Sequence, residues 1–340
     1  AARRGDTLLF PTPPVVAAHA AIGGKKEGEG PLAACFDALS ADNFFGQSSW
    51  EAAEKELALQ TARLCLKKAQ ATPEKVSLVL AGDLQAQCTA SSYAMRELGI
   101  PFAGLFGACS TMAEALGLGA ALCSAGMADG LLAMTSSHFC AAERQFRTPL
   151  SYGAVRTPTA QWTATAAGAC LLRPAGEGVQ LCAVTFGRVQ DYKIKDINNM
   201  GAAMAPAAAA TLLRYLKDTG SAPEDFDRIY TGDLGHVGSQ LLRDLLAAEG
   251  LLLKNHVDCG CILYDATEQT VKSGGSGPGC SASVLCGHIL PRLERGTQKR
   301  ALFIATGALM SQTTFLQKES IPAIAHLVEL RSPQRKEENG

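Results

Sequence analysis

The sequence lacks the features that mark several broad classes of protein. Lys and Arg number 31 against 32 Asp and Glu, so no basic surplus is available to neutralise phosphates, and the composition does not indicate nucleic-acid binding. The longest apolar stretches, 116–123 and 245–253, fall well short of the ~20 residues that a membrane-spanning helix needs. The sequence therefore predicts that any membrane contact is peripheral or made through a partner.

The twelve cysteines lack the spacing of a zinc site. The nearest candidate, Cys259-Gly-Cys261, has neither the two-residue spacer nor a second ligand pair. No secretory segment is recognisable in the 340 residues, so reduced thiols are expected rather than a disulfide framework. Hydrophobic residues make up 47% of the chain, enough for a large core in which most cysteines are buried. We predict no metal site and no cofactor.

An internal repeat is the most informative feature of the organisation. Residues 71–84 align with 221–234 without a gap and match at Pro, Glu, Gly, Asp and Leu. A second set of matches aligns Cys109-Ser110 with Cys280-Ser281 and 131–135 with 302–306. Because strands alternate with helices, mostly parallel sheets covered on both faces are expected. The pattern predicts two duplicated α/β halves, 1–175 and 176–340, although chance similarity between Ala- and Gly-rich segments is an alternative.

Cys109 is the first candidate site residue. Residues 102–116 are typical of a strand, a tight turn and a following helix, and Cys109 falls at the start of that helix. The helix dipole and free backbone N–H groups at such a position lower the pKa of a thiol and favour bound anions. The alternative is a small buried residue at the end of a strand.

His236 is the second candidate. It lies between glycines just after the second copy of the repeated strand, where the first copy has Ala86. A histidine present in one copy only, on a glycine-rich loop, indicates a site residue more than a packing residue. Imidazole suits the role of a base or a hydrogen-bond donor.

These features resemble the thiolases and the ketoacyl-carrier-protein synthases. The resemblance implies a thiolase-like fold, an αβαβα sandwich of five layers, in which Cys109 and His236 share one site. It leaves open a cysteine-dependent acyltransferase or condensing enzyme acting on acyl thioesters. However, the loop that holds an asparagine in the synthases aligns with Gly279 at that position, so the third catalytic group is expected to be missing.

The closer resemblance is to the stage V sporulation AD family (SpoVAD). Six runs carry it, and they span nearly the whole chain: 28–32, 106–112, 135–147, 156–163, 231–236 and 273–277. The resemblance implies a non-catalytic protein that binds dipicolinic acid (pyridine-2,6-dicarboxylate), alone or with calcium, for uptake into the developing spore. It further implies the other SpoVA proteins as partners, a peripheral place at the spore inner membrane and, from the thiolases, a homodimer.

A dicarboxylate would be held by amides, imidazoles and cationic side chains through charge-assisted hydrogen bonds. The predicted ligand-binding residues are Cys109, His138, Arg144, Arg147, His236, Lys272 and Gly279, with Arg156 as a further candidate cation. The alternative for the cations is ordinary solvated surface charge. For His138 it is a hydrogen-bonded core residue.

Overall fold

The first long helix shows how local sequence signals set the structure. The computed structural model describes residues 1–146 and 156–333. Ser49 has an extended backbone and its side chain accepts a hydrogen bond from the Ala52 amide, which caps helix α1 (Trp50–Lys68). The sequence predicts a helix from about Trp50 to Ala69, since Ser49 can cap its start and Pro73 ends the segment, and the structure confirms this helix. A helix of this length and burial covers one face of a sheet.

Fifteen strands lie within the described residues. They are β1 (Ala2–Arg4), β2 (Thr7–Leu9), β3 (Val15–Gly23), β4 (Ala38–Leu39), β5 (Leu78–Gly82), β6 (Phe102–Gly104), β7 (Leu131–Ser137), β8 (Trp162–Thr163), β9 (Ala166–Arg173), β10 (Val179–Thr185), β11 (Arg228–Thr231), β12 (His256–Asp258), β13 (Gly275–Ser276), β14 (Arg300–Ala308) and β15 (Ala323–Arg331). The sequence also predicts a buried strand at 76–81, and in the structure this strand begins two residues later, because a 3-10 turn at Pro73–Lys75 precedes it.

The remaining helices complete the alternation of strand and helix. They are α2 (Thr89–Leu98), α3 (Thr111–Ser124), α4 (Phe139–Phe146), α5 (Met200–Thr219), α6 (Gly235–Ala248), α7 (Cys259–Leu263), α8 (Pro278–Val284), α9 (Leu290–Glu294) and α10 (Gln312–Leu316). A π-helical turn, Leu285–Ile289, links α8 to α9. Within the described ranges, no helix combines the length and the apolar character that crossing a membrane requires.

The sheet order is the same in the two parts of the chain. One part runs β3–β9–β7–β5–β6 and the other β10–β15–β14–β11–β12. The orientations also correspond, since β5 is parallel to both its neighbours and so is β11, while β9 and β15 are antiparallel to theirs. Pairing of β10 with β3 joins both parts into one 13-stranded sheet. The domain boundary at 175/176 stays a prediction.

The helices divide the structure into five layers. Helices α3 and α8 lie between the two parts of the sheet, where α3 contacts β7 and β14 and α8 contacts β9. Helix α1 covers the outer face of β3 and β9, and α5 covers the outer face of β14 and β15. Among the described residues, three large buried apolar clusters and one small one fill the spaces between these layers. The predicted thiolase-like sandwich is therefore confirmed, and it places the starts of α3 and α8 at the centre.

Candidate functional site

The turn that carries Cys109 connects β6 to the central helix α3. A 3-10 turn at Ala108–Ser110 precedes the helix, and Ala108 has a φ of 51°, in the left-handed region that a non-glycine residue rarely adopts. The neighbouring strand β14 passes very close, because a Cβ built on Gly307 would lie 2.5 Å from the Gly107 carbonyl oxygen. Cys109 therefore lies in the turn before α3, as the sequence indicated, and close to the second half of the chain.

The surroundings of the thiol are opposite to those expected of a nucleophile. Cys109 is 6% exposed and faces the Asp233 carboxyl, the Gly277 amide and the Ser276 hydroxyl. Burial, followed by the charge of Asp233 and the hydrogen bond to it, raises the pKa of the Cys109 thiol well above its ordinary value. The expectation that the helix start lowers this pKa is therefore wrong. A buried carboxyl, rather than a cation, lies beside the sulfur and keeps it protonated.

Asp233 connects three elements of the second half to Cys109. It directly follows the strand β11 and Gly232, and its carboxyl accepts hydrogen bonds from Thr306 Oγ1 at 2.9 Å, Ser276 Oγ at 3.0 Å and the Gly277 amide at 2.9 Å. Burial raises the pKa of this carboxyl, and the hydrogen bonds counteract the shift. Sequence reasoning missed Asp233 as a site residue and used it only as one of the matching positions of the internal repeat.

Asp258 fixes the loop on which Asp233 lies. Its carboxyl accepts hydrogen bonds from the Leu234 amide at 2.9 Å, the Gly235 amide at 3.0 Å and Thr231 Oγ1 at 2.6 Å. Burial raises the pKa of Asp258 to about 6, while these hydrogen bonds lower it. Asp258 therefore fixes the conformation of the loop, and the loop places the Asp233 carboxyl beside Cys109.

A cavity of about 470 Å³ opens beside Cys109. Its apolar walls come from Phe106, Phe146, Met200, Leu309 and Met310. Its polar lining side chains are uncharged, and they are Gln145, Thr163, Ser276, Ser311, Gln312 and Thr313. Within the described part of the chain, no Lys, Arg, Asp or Glu lines this cavity. The volume suits a small molecule, and the lining offers an apolar surface with hydroxyl and amide groups.

His236 does not reach this cavity in the structure. It lies in the first turn of α6, where its side chain is exposed and its backbone N–H donates to the Ser273 carbonyl at 2.7 Å. It is absent from the described residues that line the cavity. The structure therefore does not bring Cys109 and His236 together, and Asp233, three residues earlier, contacts the thiol instead. The physical reason is that Asp258 binds the amides of Leu234 and Gly235, so α6 begins before His236.

His138 occupies a hydrogen-bonded position in the core. Its side chain is fully buried, Nε2 donates to the Asn43 carbonyl at 2.7 Å, and Nδ1 accepts from the Ala141 amide at 3.4 Å. Burial lowers the pKa of the ring, which is consistent with a neutral imidazole. Both ring nitrogens are engaged within the protein, and this geometry agrees with the core alternative rather than with ligand binding.

The candidate cations lie apart from the cavity lining. Arg144 forms an ion pair with Glu51 and is 45% exposed, and Lys272 is exposed. Arg156 forms a buried ion pair with Glu143, with 2.5 Å between its Nη2 and Oε1. Arg147 lies outside the described residues. The first three therefore have the surroundings of surface or structural charges.

Gly279 has a packing reason to be glycine. It lies in the first turn of α8, and a Cβ there would come within 2.1 Å of the Ala166 carbonyl oxygen on β9. Its amide donates to Ser137 Oγ at 3.2 Å. The residue belongs to the contact between the central helix and the sheet, and it is not among the described residues lining the cavity.

The part of the chain that the structure describes also holds no cluster of three or more His, Cys, Asp or Glu able to bind a metal ion.

Sequence comparison finds similarity over nearly the whole chain. The model of the family described as Stage V sporulation protein AD (SpoVAD) matches residues 4–331. A curated relative, the stage V sporulation protein AD of Bacillus subtilis (strain 168), is 42% identical over 322 residues. That alignment covers 94% of this chain and 95% of the relative.

Structural comparison finds the condensing-enzyme fold. Cerulenin-bound OleA of Xanthomonas campestris superposes with a TM-score of 0.63 at 15% identity, covering 97% of this chain and 100% of that chain. The 3-oxoacyl-[acyl-carrier-protein] synthase III of Aquifex aeolicus VF5 gives a TM-score of 0.57 at 12% identity, covering 94% and 99%. At these identities the likeness concerns the fold alone.

Proposed function

This chain belongs to the stage V sporulation protein AD family, and from this premise we propose that it binds dipicolinate without catalysing a reaction. One observation carries the proposal. The thiol that heads the central helix is buried against Asp233, which keeps it protonated, yet a cavity of about 470 Å³ remains beside it. A thiol with a raised pKa is poorly suited to nucleophilic attack, while the cavity offers space for a ligand.

The proton balance disfavours acyl transfer from a thioester. Attack on a thioester requires a thiolate, and the thiolate fraction falls as the pKa of the thiol rises. Asp233 raises the pKa of Cys109 through its charge, in addition to the effect of burial. The Asp233 carboxylate accepts hydrogen bonds from three donors, and these favour the arrangement with the proton on the sulfur.

The cavity lining supports an aromatic dicarboxylate. A flat pyridine ring gains from contact with Phe106, Phe146 and Met310, as apolar surface is removed from water. Side chains of Gln145, Gln312 and Thr313 supply N–H and O–H donors to a carboxylate. Each hydrogen bond to a charged group contributes roughly 1.5–3 kcal/mol. Two or three such bonds would contribute to binding in a cavity that no lysine or arginine of the described residues lines.

We extend the proposal to the place of the protein in the spore. Membership of the family supports a role in dipicolinate uptake into the developing spore, together with the other SpoVA proteins at the inner membrane. Contact with that membrane is proposed to be peripheral. The purified protein should not sediment together with plain anionic liposomes. Strong co-sedimentation would count against the proposal that the protein reaches the membrane only through its partners.

We also propose that two copies pair through the β6 edge. Strand β6 lies at one end of the sheet, and an edge strand leaves N–H and C=O groups available for another strand. Tyr93 and Phe106 beside it are 51% and 58% exposed, which is a large apolar exposure for a free surface. Light scattering at micromolar concentration should give the mass of a dimer, and a monomer mass would reject the pairing.

Titration calorimetry with dipicolinate tests the location of the ligand. Cys109→Trp and Met310→Trp each fill the cavity and should weaken binding at least about tenfold, equivalent to ~1.4 kcal/mol. Met310 is only partly buried, so this variant keeps the test valid if the tryptophan at 109 disturbs folding. His236→Ala, which changes an exposed side chain, is the matched control and should bind like the wild type. Unchanged binding by both tryptophan variants would place the ligand elsewhere.

Incubation with an acyl-coenzyme A, followed by intact-mass measurement, tests the absence of catalysis. The wild type should show no stable acyl adduct, since the Cys109 thiol is protonated. An adduct that maps to Cys109 and disappears in Cys109→Ala would overturn the non-catalytic assignment.

A further inference from the structure

A small polar cavity adjoins the Cys109 cavity and has a distinct chemistry. It shares Phe146, Thr163, Met200 and Ser276 with the larger cavity, so the two lie side by side. Strands β8 and β13 pair Thr163 with Ser276 in register, which places both hydroxyls at the junction. We call this small cavity the annex. Its other polar lining side chains are Glu143, Gln161 and Asn198.

Gln161 lines the annex, and its side-chain oxygen is unsatisfied. The side chain is only 8% exposed, and its Nε2 donates to the Asp233 carbonyl at 2.6 Å and to the Gly275 carbonyl at 2.8 Å. Two carbonyl acceptors fix which end of the amide is the nitrogen. The buried Oε1 has no hydrogen-bond partner among the described residues. A buried acceptor without a donor is unfavourable, so this atom calls for a donor from a ligand or from water.

The two hydroxyls of the annex also act as acceptors toward a ligand. Thr163 Oγ1 donates its proton to Glu143 Oε1 at 3.2 Å, and Ser276 Oγ donates to Asp233 Oδ2 at 3.0 Å. Each hydroxyl has a single proton, so only lone pairs remain for a third group. Glu143 itself is an acceptor, and its charge is compensated by Arg156. The annex therefore presents hydrogen-bond acceptors at its junction with the Cys109 cavity.

We infer that the annex selects a hydrogen-bond donor group on the ligand and that Gln161 is the residue that accepts this hydrogen bond. This inference rests on the proposed function. A carboxylate in the annex would face the acceptors of Gln161, Thr163 and Ser276, whereas a protonated carboxyl or a carboxamide donates to Gln161 Oε1. A pyridine dicarboxylate consequently binds with its two carboxyl groups in different states. One is an anion at the amide and hydroxyl donors of the larger cavity, and the other is a neutral donor in the annex.

A pair of ligands tests this assignment without altering the protein. At pH 8 both carboxyl groups of free dipicolinate are ionised, whereas 6-carbamoylpyridine-2-carboxylate keeps one carboxylate and carries an N–H donor in place of the other. Titration calorimetry should give at least about tenfold tighter binding for the carbamoyl compound. Equal or tighter binding of dipicolinate would mean that the annex holds only water, and would overturn the inference while leaving the proposed function intact. Failure of both compounds to bind would overturn the proposed function as well.

Variants of the annex identify the residue responsible. Gln161→Leu removes Oε1 and should abolish the preference for the carbamoyl compound. Because this change also removes the bonds to the Asp233 and Gly275 carbonyls, Thr163→Val serves as a second variant and should reduce the preference. Thr313→Val, which alters the larger cavity only, is the matched control and should retain it. A full preference in both Gln161→Leu and Thr163→Val would contradict the assignment.

Discussion

Asp83 and Asp233 hold corresponding places in the two copies of the repeat, yet they have different surroundings. Asp83 follows β5 and accepts hydrogen bonds from nearby residues, the Ser91 amide and hydroxyl and the Gln85 amide. Asp233 follows β11 and accepts from distant residues, Thr306, Ser276 and Gly277, while it faces Cys109. The first aspartate stabilises the start of α2, and the second belongs to the site.

In the second half, Asp258 makes the contacts at the start of a helix that Asp83 makes in the first half. It accepts hydrogen bonds from the Leu234 and Gly235 amides at the start of α6, which is the function that Asp83 performs for α2. A carboxylate brought from β12 therefore supports the helix. The comparison shows that residues at matching positions of the repeat have different surroundings, because in the second half another carboxylate binds the amides at the start of the helix.

The largest expected effect is on stability, and it distinguishes the structural carboxylates Asp83 and Asp258 from the site residues. Asp83→Ala and Asp258→Ala each leave at least three buried or partly buried donors without their acceptor. We expect each to lower the free energy of unfolding by about 2–4 kcal/mol, as for the loss of a buried helix cap with its hydrogen bonds. Urea denaturation measures this. Asp244→Ala on the exposed face of α6 is the control and should change stability little.

The pH dependence of stability should also differ between the halves. Burial, and next the charge of Asp83, raises the pKa of Glu54 from 4.5 to about 8, whereas that of Asp258 rises from 3.8 to about 6. Between the ordinary pKa and the folded-state pKa of each group, the folded protein holds a proton that the unfolded chain releases. The free energy of unfolding therefore falls as the pH rises through this window. One proton contributes at most about 1.4 kcal/mol per pH unit.

Two variants resolve these windows. Glu54→Gln should flatten the decline in unfolding free energy between pH 6 and 8. Asp258→Asn should alter the profile only below about pH 6, the folded-state value of Asp258. Unfolding curves collected from pH 5 to 8.5 provide the measurement. A wild-type profile that rises toward pH 8, or an unchanged slope in Glu54→Gln, would show that Glu54 does not retain its proton.

The smallest expected effect concerns Cys109 itself. Asp233→Asn removes the charge that raises the pKa of the thiol, so the thiolate fraction should grow, by about tenfold for each unit of pKa. The rate of Cys109 alkylation by iodoacetamide at pH 8, followed by peptide mass mapping, should therefore increase about fivefold or more, given tenfold for each pKa unit. Burial remains, so the thiol should still react more slowly than a free cysteine. Asp83→Asn is the matched control, and an equal acceleration there would contradict the assigned contact.

The sequence predicted those features that local chemistry determines. Ser49 caps α1 as expected, Cys109 lies in the turn before α3, and the repeated segments fall on corresponding strands. Their signals are hydrophobic period, a capping side chain and turn residues, all readable over a few positions. The fold class followed from these signals and from the family resemblance.

The site was predictable only in part, because its contacts join distant segments. Gln161 and Asp233 meet through a carbonyl that lies 72 positions away in sequence, and no local pattern marks this contact. His236 was selected for its glycine-rich context, but the start of α6 leaves it exposed. Arg144 had the residue type for a dicarboxylate and instead pairs with Glu51. Residue type is visible in a sequence, whereas the direction of a side chain depends on the fold.

A crystal structure with soaked dipicolinate tests the central claim most directly, since it reports both the location of the ligand and the state of Cys109. We expect the pyridine ring between the apolar walls of the cavity, near Phe106 and Met310, with one carboxyl group directed toward Gln161 and the Cys109 sulfur unmodified. Ligand density at another site, with this cavity unoccupied, or a covalent bond from the Cys109 sulfur, would contradict the account.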